Sequence, residues 1–378
     1  MFMKSENKGL RTWVEIDTKA IRHNYRAFRK IIPKDVKMMG VVKSNAYGHN
    51  ITEFALELER LGVDMLAVDS LVEALSLRKS GVKTPILVLG YTLPSMFAKA
   101  LRKNIHLTIS SIDGLRMFLK SPNAAQIPVH LKVDTGMHRQ GFLLKEGSQV
   151  IKLLTSHNIQ VAGLYTHFAS AKDFKDRAFT DGQIAEFMEW RTAFHNAGFS
   201  PVIHAGATGG TLGFPESHFD MVRVGAGLYG FWTQKEVQAV FRGKFLLKPV
   251  LSWKTIISEV KEIPAESGVG YDLTHKTKGV TRIAVCPIGY WHGYPRALSD
   301  KSDVLIRGKR AKVLGRVSMD MVVIDITNIP SVKVGDEAVL IGRCGKKEIP
   351  ASELAEHAGT SAYEILTRLN PLMKRIYK

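Results

Sequence analysis

Cysteine is scarce. Cys286 and Cys344 are the only two in 378 residues, too few for a disulfide framework, and neither sits in a metal-ligand spacing. Long apolar runs are missing as well: none approaches the ~20 residues that a membrane-crossing helix needs. The opening stretch, Met1 to Arg11, is polar and has no apolar centre of the kind found in signal peptides. No low-complexity linker interrupts the chain. No Gly-x-Gly-x-x-Gly turn follows the first apolar run, which argues against an open dinucleotide-binding sheet. Together these absences predict a globular protein of a reducing cytoplasm, with no membrane segment.

Acidic residues are outnumbered, 35 against 53 basic ones, for a formal charge of +18. A nucleic-acid binder gathers such charge into a stripe with interleaved aromatics. Here lysine and arginine are dispersed. The densest cluster, Arg307-Gly308-Lys309-Arg310-Ala311-Lys312, reads as a hairpin turn between Val304–Ile306 and Val313–Leu314. Attraction of small anions suits this pattern better than a nucleic-acid partner.

The length exceeds one ordinary core and predicts two domains. Asp17 is placed to cap a first helix whose buried face is Ile21, Tyr25 and Phe28, with Pro33 beyond its end. Apolar runs then recur at Val36–Val42, Met65–Val68, Pro85–Gly90, Leu107–Ser110, Val129–Asp134, Gly163–Phe168, Val202–Ala207 and Met221–Gly225. Most lack strict alternation, as strands buried on both faces do. Helical patterns separate the early ones, including Leu71–Lys79, a helix opened by Pro94 and one capped by Asp113. Repeated strand-then-helix units predict an α/β protein with a closed (β/α)8 TIM barrel. Beyond about Leu246 the pattern changes to short Val- and Ile-rich runs between turn residues, such as Ile256–Val260, Thr281–Val285, Val322–Ile326 and Ala338–Ile341. The expected domains are a barrel over 1–245 and a mostly β C-terminal domain over 246–378, closed by helices at Ala351–His357 and Ala362–Leu369.

Barrel enzymes build their sites at the carboxyl ends of the strands. Those ends carry Lys43, Arg139, His167, Thr208 and Arg223, with glycines at 209, 210, 225 and 227. A lysine desolvated there reaches its neutral, nucleophilic form near neutral pH and can form a Schiff base with a carbonyl. Glycine loops after the last two strands let backbone N–H groups approach a phosphate. Pyridoxal 5'-phosphate (PLP) carries both an aldehyde and a phosphate and suits that pairing. Arg223, which keeps its proton, would leave the cofactor's pyridine nitrogen unprotonated, favouring proton exchange at Cα over transamination. Plainer alternatives stand beside each group. Lys43 can end a strand in solvent, Arg139 can pair with a carboxylate, His167 can be structural, and the glycines can serve turns.

Several blocks resemble the bacterial alanine racemases, a fold-type III PLP family. They are Val41-Val42-Lys43-Ser44-Asn45-Ala46-Tyr47-Gly48-His49, Lys132-Val133-Asp134-Thr135-Gly136-Met137-His138-Arg139, Tyr165-Thr166-His167-Phe168-Ala169, His218-Phe219-Asp220-Met221-Val222-Arg223-Val224-Gly225 and Gly315-Arg316-Val317-Ser318-Met319-Asp320. The likeness runs from about Thr12 to Arg368. It implies a barrel plus β domain, active as a head-to-tail homodimer that interconverts L- and D-alanine and supplies D-alanine for peptidoglycan.

By the same resemblance, Lys43 is the cofactor-bearing lysine and the base for the D-enantiomer, and Tyr271 is the opposing base, supplied by the partner subunit. Arg223 faces the pyridine nitrogen, with His167 beside it. Arg139 lies near the cofactor's phenolic oxygen and the substrate carboxylate, and Lys132 is the lysine that the family often carries as a carbamate. Tyr47, Thr208, Gly225, Ala226 and Tyr363 form the phosphate cup, and Tyr290 and Met319, also supplied by the partner subunit, narrow the substrate entrance. Three positions depart from the family: Ala207-Thr208 replaces the usual Asn-Ser, Ser318 stands where cysteine is common, and His138 replaces a usual glycine. They leave open a broader amino-acid racemase that also takes serine. A related PLP decarboxylase pairs the ring nitrogen with a carboxylate, which position 223 is not. A non-catalytic PLP-binding protein has no need of the region around Tyr271 and Met319.

Overall fold

The computed structural model describes residues 9–232 and 234–378. The first eight residues of the polar N-terminal stretch lie outside the described residues. Strand β1 (Thr12–Ile16) leads to α1 (Thr18–Ile31), which Asp17 caps by accepting from the Ala20 N–H at 3.0 Å. Ile21, Tyr25 and Phe28 form its buried face, as their spacing predicts.

Eight strands follow: β2 (Lys37–Val41), β3 (Met65–Val68), β4 (Ile86–Val88), β5 (Ile105–Ile109), β6 (Val129–Lys132), β7 (Val161–Tyr165), β8 (Val202–His204) and β9 (Met221–Val224). Each pairs in parallel with the next, and β9 closes onto β2. Nearly every position in them is buried, which explains the lack of alternation. Helices fill the connections, among them Ile51–Arg60, Leu71–Lys79 and Ala178–Asn196. Gly40 lets the first of these approach β2: a Cβ there would lie 2.8 Å from Leu58 Cδ1.

The expected boundaries shift at the strand ends. The Val129–Asp134 run leaves the ladder after Lys132, Gly163–Phe168 becomes Val161–Tyr165, and Val202–Ala207 stops at His204. Asp134, His167 and Thr208 therefore lie beyond the strands. Ser111, rather than Asp113, caps the helix Ile112–Leu119, its Oγ accepting from Gly114 N–H at 3.1 Å. Asp113 sits two residues past the cap, within the first turn.

The remaining strands are β10 (Leu251–Ile256), β11 (Glu259–Ile263), β12 (Gly268–Val269), β13 (His275–Lys276), β14 (Thr281–Cys286), β15 (Asp303–Ile306), β16 (Lys309–Leu314), β17 (Val322–Asp325), β18 (Glu337–Cys344), β19 (Lys347–Ile349) and β20 (Arg375–Tyr377). They form one sheet in the order β11-β14-β17-β16-β15-β18-β10-β1-β20, with β19 on β18 and β12-β13 as a separate hairpin. The Ile256–Val260 run straddles the break between β10 and β11. The basic cluster is a hairpin whose two turn residues, Arg307 and Gly308, have φ of 50° and 76°, the left-handed values of a tight primed turn.

Two compact units result. The barrel unit holds Ile21–Ala46 and Ile51–Lys248. The β unit holds Pro249–Lys378, Tyr47–Asn50 and the segment ending at Ala20. This partition differs from contiguous limits of 1–245 and 246–378 at the N-terminal side. The reasons are β1, which pairs antiparallel with β10 and parallel with β20, and the Tyr47–Asn50 segment, where Arg375 Nε donates to Gly48 O at 3.0 Å and the Tyr377 hydroxyl to His49 O at 2.7 Å. In β1, Trp13, Val14 and Ile16 are buried. Among the described residues no helix is long and apolar enough to cross a membrane.

Trp13 is 1% exposed. Trp13→Ala is expected to destabilise the protein by about 3–5 kcal/mol through the cavity left behind. Urea denaturation measures this, and a loss under ~1 kcal/mol would remove β1 from the core.

Candidate active site

Lys43 directly follows the first barrel strand. Its side chain is 38% exposed, with Nζ 3.8 Å from Asp69 Oδ1, so the burial expected of it is not found within the barrel unit. The next residues explain its placement. Ser44 (φ 56°, ψ 52°), Asn45 (54°, 44°) and Ala46 (50°, 52°), then Tyr47 (φ 49°), make a left-handed turn of four L-residues. Such backbone costs ~1–2 kcal/mol per residue and needs external ties. Ala46 N–H donates to Val42 O at 2.9 Å, and Asn45 Oδ1 accepts from Ile51 N–H at 3.0 Å. Glu73 accepts from Asn45 N–H on one oxygen, at 3.2 Å, and from Asp69 N–H on the other, at 2.9 Å. One carboxylate thus fastens the loops after β2 and β3.

Arg223 in β9 is 3% exposed. Nη1 donates to His204 O and His204 Nδ1, both at 3.0 Å. Nη2 donates to Ala205 O at 2.7 Å, Thr166 O at 2.8 Å and His167 Nδ1 at 3.1 Å. All five acceptors are neutral, and among the described residues no carboxylate pairs with it. Those contacts engage Nη1 and Nη2 and leave Nε–H outside the set. Burial brings the guanidinium down to about 10. Burial, then the Arg223, Lys132, Arg139 and Lys43 charges, hold His167 well below the usual imidazole range.

Lys132 ends β6 and is 6% exposed. Nζ donates to Gln140 Oε1 at 3.3 Å and stands 5.8 Å from the centre of the Tyr165 ring. Burial first, then the positive charges of Arg139 and Arg223, pulls its ammonium down to about 8. Arg139 is exposed in the loop beyond. Asp134 shapes that loop, its Oδ1 accepting from Gly136 and His138 N–H, each at 3.0 Å. His138 has φ of 52°, so the histidine holds a left-handed backbone that glycine would adopt without strain.

Thr208 Oγ1 accepts from Gly225 N–H at 3.1 Å and Gly227 N–H at 3.3 Å, tying the two glycine loops together; Ala226 between them is buried. A Cβ at Gly227 would meet Phe28 at 2.3 Å. The barrel unit thereby gathers Lys43, Lys132, Arg139, His167, Thr208, Arg223, Gly225 and Ala226 at the carboxyl ends of its strands.

The other residues belong to the β unit. Tyr47 and Tyr363 stand with ring centres 5.7 Å apart. Burial pushes the Tyr363 phenol up to about 12 and that of Tyr47 higher. Tyr271 is 69% exposed, on the loop between β12 and β13, and Arg316 pairs at 2.6 Å with its neighbour Asp272. Tyr290 N–H donates to Ser318 O at 3.1 Å and Trp291 N–H to Met319 O at 3.0 Å, which brings Tyr290 and Met319 together. Gly289 permits the approach, since a Cβ there would lie 2.1 Å from Ser318 O.

Sequence reasoning missed His106, His130 and His204. In β5, β6 and β8 they link to one another and to Arg223: His106 Nδ1 to His130 Nε2 at 3.1 Å, and His130 Nδ1 to His204 Nε2 at 2.9 Å. A signal existed. Each is an imidazole flanked on both sides by apolar residues, in a strand that is otherwise buried on both faces.

Burial keeps His130 and His204 neutral, well below 6.5, whereas in the unfolded chain they titrate near 6.5. The unfolded chain therefore binds more protons below that value, and stability falls as pH drops through it. His130 and His204 should each cost about 2 kcal/mol of stability at about pH 5 relative to pH 7. Urea unfolding at both values tests this. Equal stability at both would mean that the imidazoles are charged in the fold.

Residues 16–232 match the family model for the alanine racemase N-terminal domain, and residues 250–377 match that for the C-terminal domain. The alanine racemase of Halothermothrix orenii is 38% identical over 372 residues, covering 97% of both chains. That of Clostridium perfringens strain SM101 is 38% identical over 97% of this chain and 95% of its own. Among solved structures, alanine racemase of Clostridium difficile 630 superposes with a TM-score of 0.91 at 32% identity, over 98% of this chain and 96% of that one. The Bacillus anthracis alanine racemase with bound L-Ala-P gives 0.91 at 34% identity, over 97% and 95%. With both family models matched along nearly its whole length, the chain belongs to the alanine racemase family.

Proposed function

We propose that this protein is a PLP-dependent isomerase that interconverts L- and D-alanine, providing D-alanine for peptidoglycan in the cytoplasm. The observation that carries the reading is Arg223: a buried cation with only neutral partners and one N–H left over for a ligand. Two further features fit the cofactor's chemistry. Lys43, Lys132, Arg139 and Arg223 are close enough for their charges to act on His167, a field suited to an anionic ligand. Lys43 supplies an accessible amine at a strand end.

PLP, when bound, supplies a conjugated ring that draws electrons from the substrate's Cα. The chain's residues do the rest. Arg223, a donor that keeps its own protons, would face the ring nitrogen without protonating it, which would limit that withdrawal and favour return of a proton to Cα. Lys43 and the partner's Tyr271 hold protons on opposite sides, so that one leaves as the other arrives. Arg139 binds the substrate carboxylate. Lys132, with an amine near neutrality at pH 8, is suited to carbamylation that would orient Arg139. Thr208, Gly225 and Ala226 take the phosphate. The partner's Tyr290 and the partner's Met319 restrict the entrance to a small side chain.

A homodimer with shared sites is part of this reading. Tyr271, Leu273, Tyr290, Trp291, Met319 and Met321 are all exposed large apolar residues of the β unit, a surface suited to cover by a second copy. Cys286 and Cys344 are both free thiols, in keeping with a reducing compartment.

The test is to incubate the purified protein with PLP and a panel of L-amino acids and to assay each for its D-form. Alanine should be converted fastest. Carbon dioxide release without D-amino acid would replace the reading with decarboxylation, and bound PLP without any turnover would replace it with a binding protein. Tyr271→Phe is expected to lower racemisation at least ~100-fold while the bound-cofactor absorbance persists. Wild-type turnover in that variant would remove Tyr271 from the mechanism.

A further inference from the structure

The guanidinium of Arg223 has donors only. The nitrogen of His204 facing it at 3.0 Å, Nδ1, must therefore be an unprotonated acceptor. That makes His204 the neutral Nε2–H tautomer, which donates to His130 Nδ1 at 2.9 Å. His130 is then fixed in the same tautomer, and its Nε2–H donates to His106 Nδ1 at 3.1 Å. His106 ends with Nε2–H as its free donor. One donor-only group thus sets the proton position on three successive rings. His167, which also accepts from Arg223 through Nδ1, is fixed in the same way.

The barrel is built around this chain. A Cβ at position 163 would lie 2.1 Å from His130 Nδ1, so Gly163 makes room for the ring. Tyr165 lies flat against His204, with ring centres 4.7 Å apart and 7° between planes, and its hydroxyl shares a hydrogen with Thr108 Oγ1 at 3.0 Å. His130 and His204 are 2% and 0% exposed, so neither can exchange its partner for water. The charged groups acting on these rings are Arg223 and Arg78, both cations. No carboxylate is among them, which disfavours an imidazolium at any link.

We propose that His106, His130 and His204 are positioning residues for Arg223, forming a one-way chain of neutral imidazoles that keeps a lone pair aimed at the guanidinium. A ring in the other tautomer would set hydrogen against hydrogen and push Arg223 out of register. The proposal rests on the reading of Arg223 as the cofactor's partner, and it extends that site to the far side of the barrel core.

The test uses the PLP-loaded protein labelled with 15N-histidine, read by long-range 1H–15N correlation and assigned with single substitutions. Expected are Nε2–H neutral signals for all three rings, unchanged between about pH 6 and 9. An Nδ1–H tautomer or an imidazolium at His130 or His204 in the wild type overturns the proposal, whatever the variants do.

His130→Leu removes the acceptor for His204. It should let an Nδ1–H population appear there and lower kcat about tenfold, with KM for L-alanine within about twofold. His130→Asn, whose amide oxygen takes the place of Nδ1, should keep the His204 tautomer and recover most of kcat. Equal behaviour of the two variants also overturns it. Expected tautomers in a protein that does not racemise would sink the functional reading alone, and other tautomers in an active racemase would sink the chain alone.

Discussion

A cation held inside the barrel without a counter-anion is the constraint on which the rest of the site depends. Taking an ion out of water costs several kcal/mol even after relaxation, and a carboxylate is the usual remedy. Around Arg223 the barrel uses main-chain carbonyls instead, from Thr166, His204 and Ala205. Every buried carbonyl needs a partner, and these three find theirs in the guanidinium. The strands accordingly stop where their carbonyls turn inward: β7 ends at Tyr165 and β8 at His204. The short strands and the buried arginine are one feature.

Without an anion at that position, the field at the strand ends stays positive. Lys132 and His167 both feel Arg139, Arg223 and Lys43, and both are driven toward their neutral forms. The consequence is chemical. A pocket that resists further protonation can hold a neutral amine and an unprotonated ring nitrogen at ordinary pH, while attracting an anionic phosphate and carboxylate.

Legibility in the sequence followed how local the information was. The barrel could be read because each strand is a buried apolar run and each connection a helical one. The Met65–Val68 and Leu71–Lys79 elements have the bounds that their patterns predict. Lys43, His167, Thr208 and Arg223 could be placed because position at or just after the end of a strand assigns the barrel face. The role of β1 was not legible, since its pairing with β10 and β20 is set by residues more than two hundred positions away. Nor were the histidines: a polar residue in a buried strand reads as an exception until its partners on other strands are known. Lys43 is less buried than its strand-end position predicts, because position at a strand end does not state what covers the side chain.

The turn after Lys43 shows how strain and function are linked here. Four left-handed L-residues at ~1–2 kcal/mol each sum to ~4–8 kcal/mol, comparable to the net stability of a whole domain. A looser loop of glycines would avoid that cost, but it would let Lys43 and Tyr47 wander. The chain instead keeps side chains at Ser44, Asn45, Ala46 and Tyr47 and offsets the strain with the Glu73 carboxylate, the Asn45 amide and the Val42 carbonyl. Gly48 ends the run at φ 84°, where a Cβ would lie 2.0 Å from Leu366 O. Glycine is needed there by contact as well as by conformation. The strained stretch is thus pinned at both ends, and the lysine at its start inherits that rigidity.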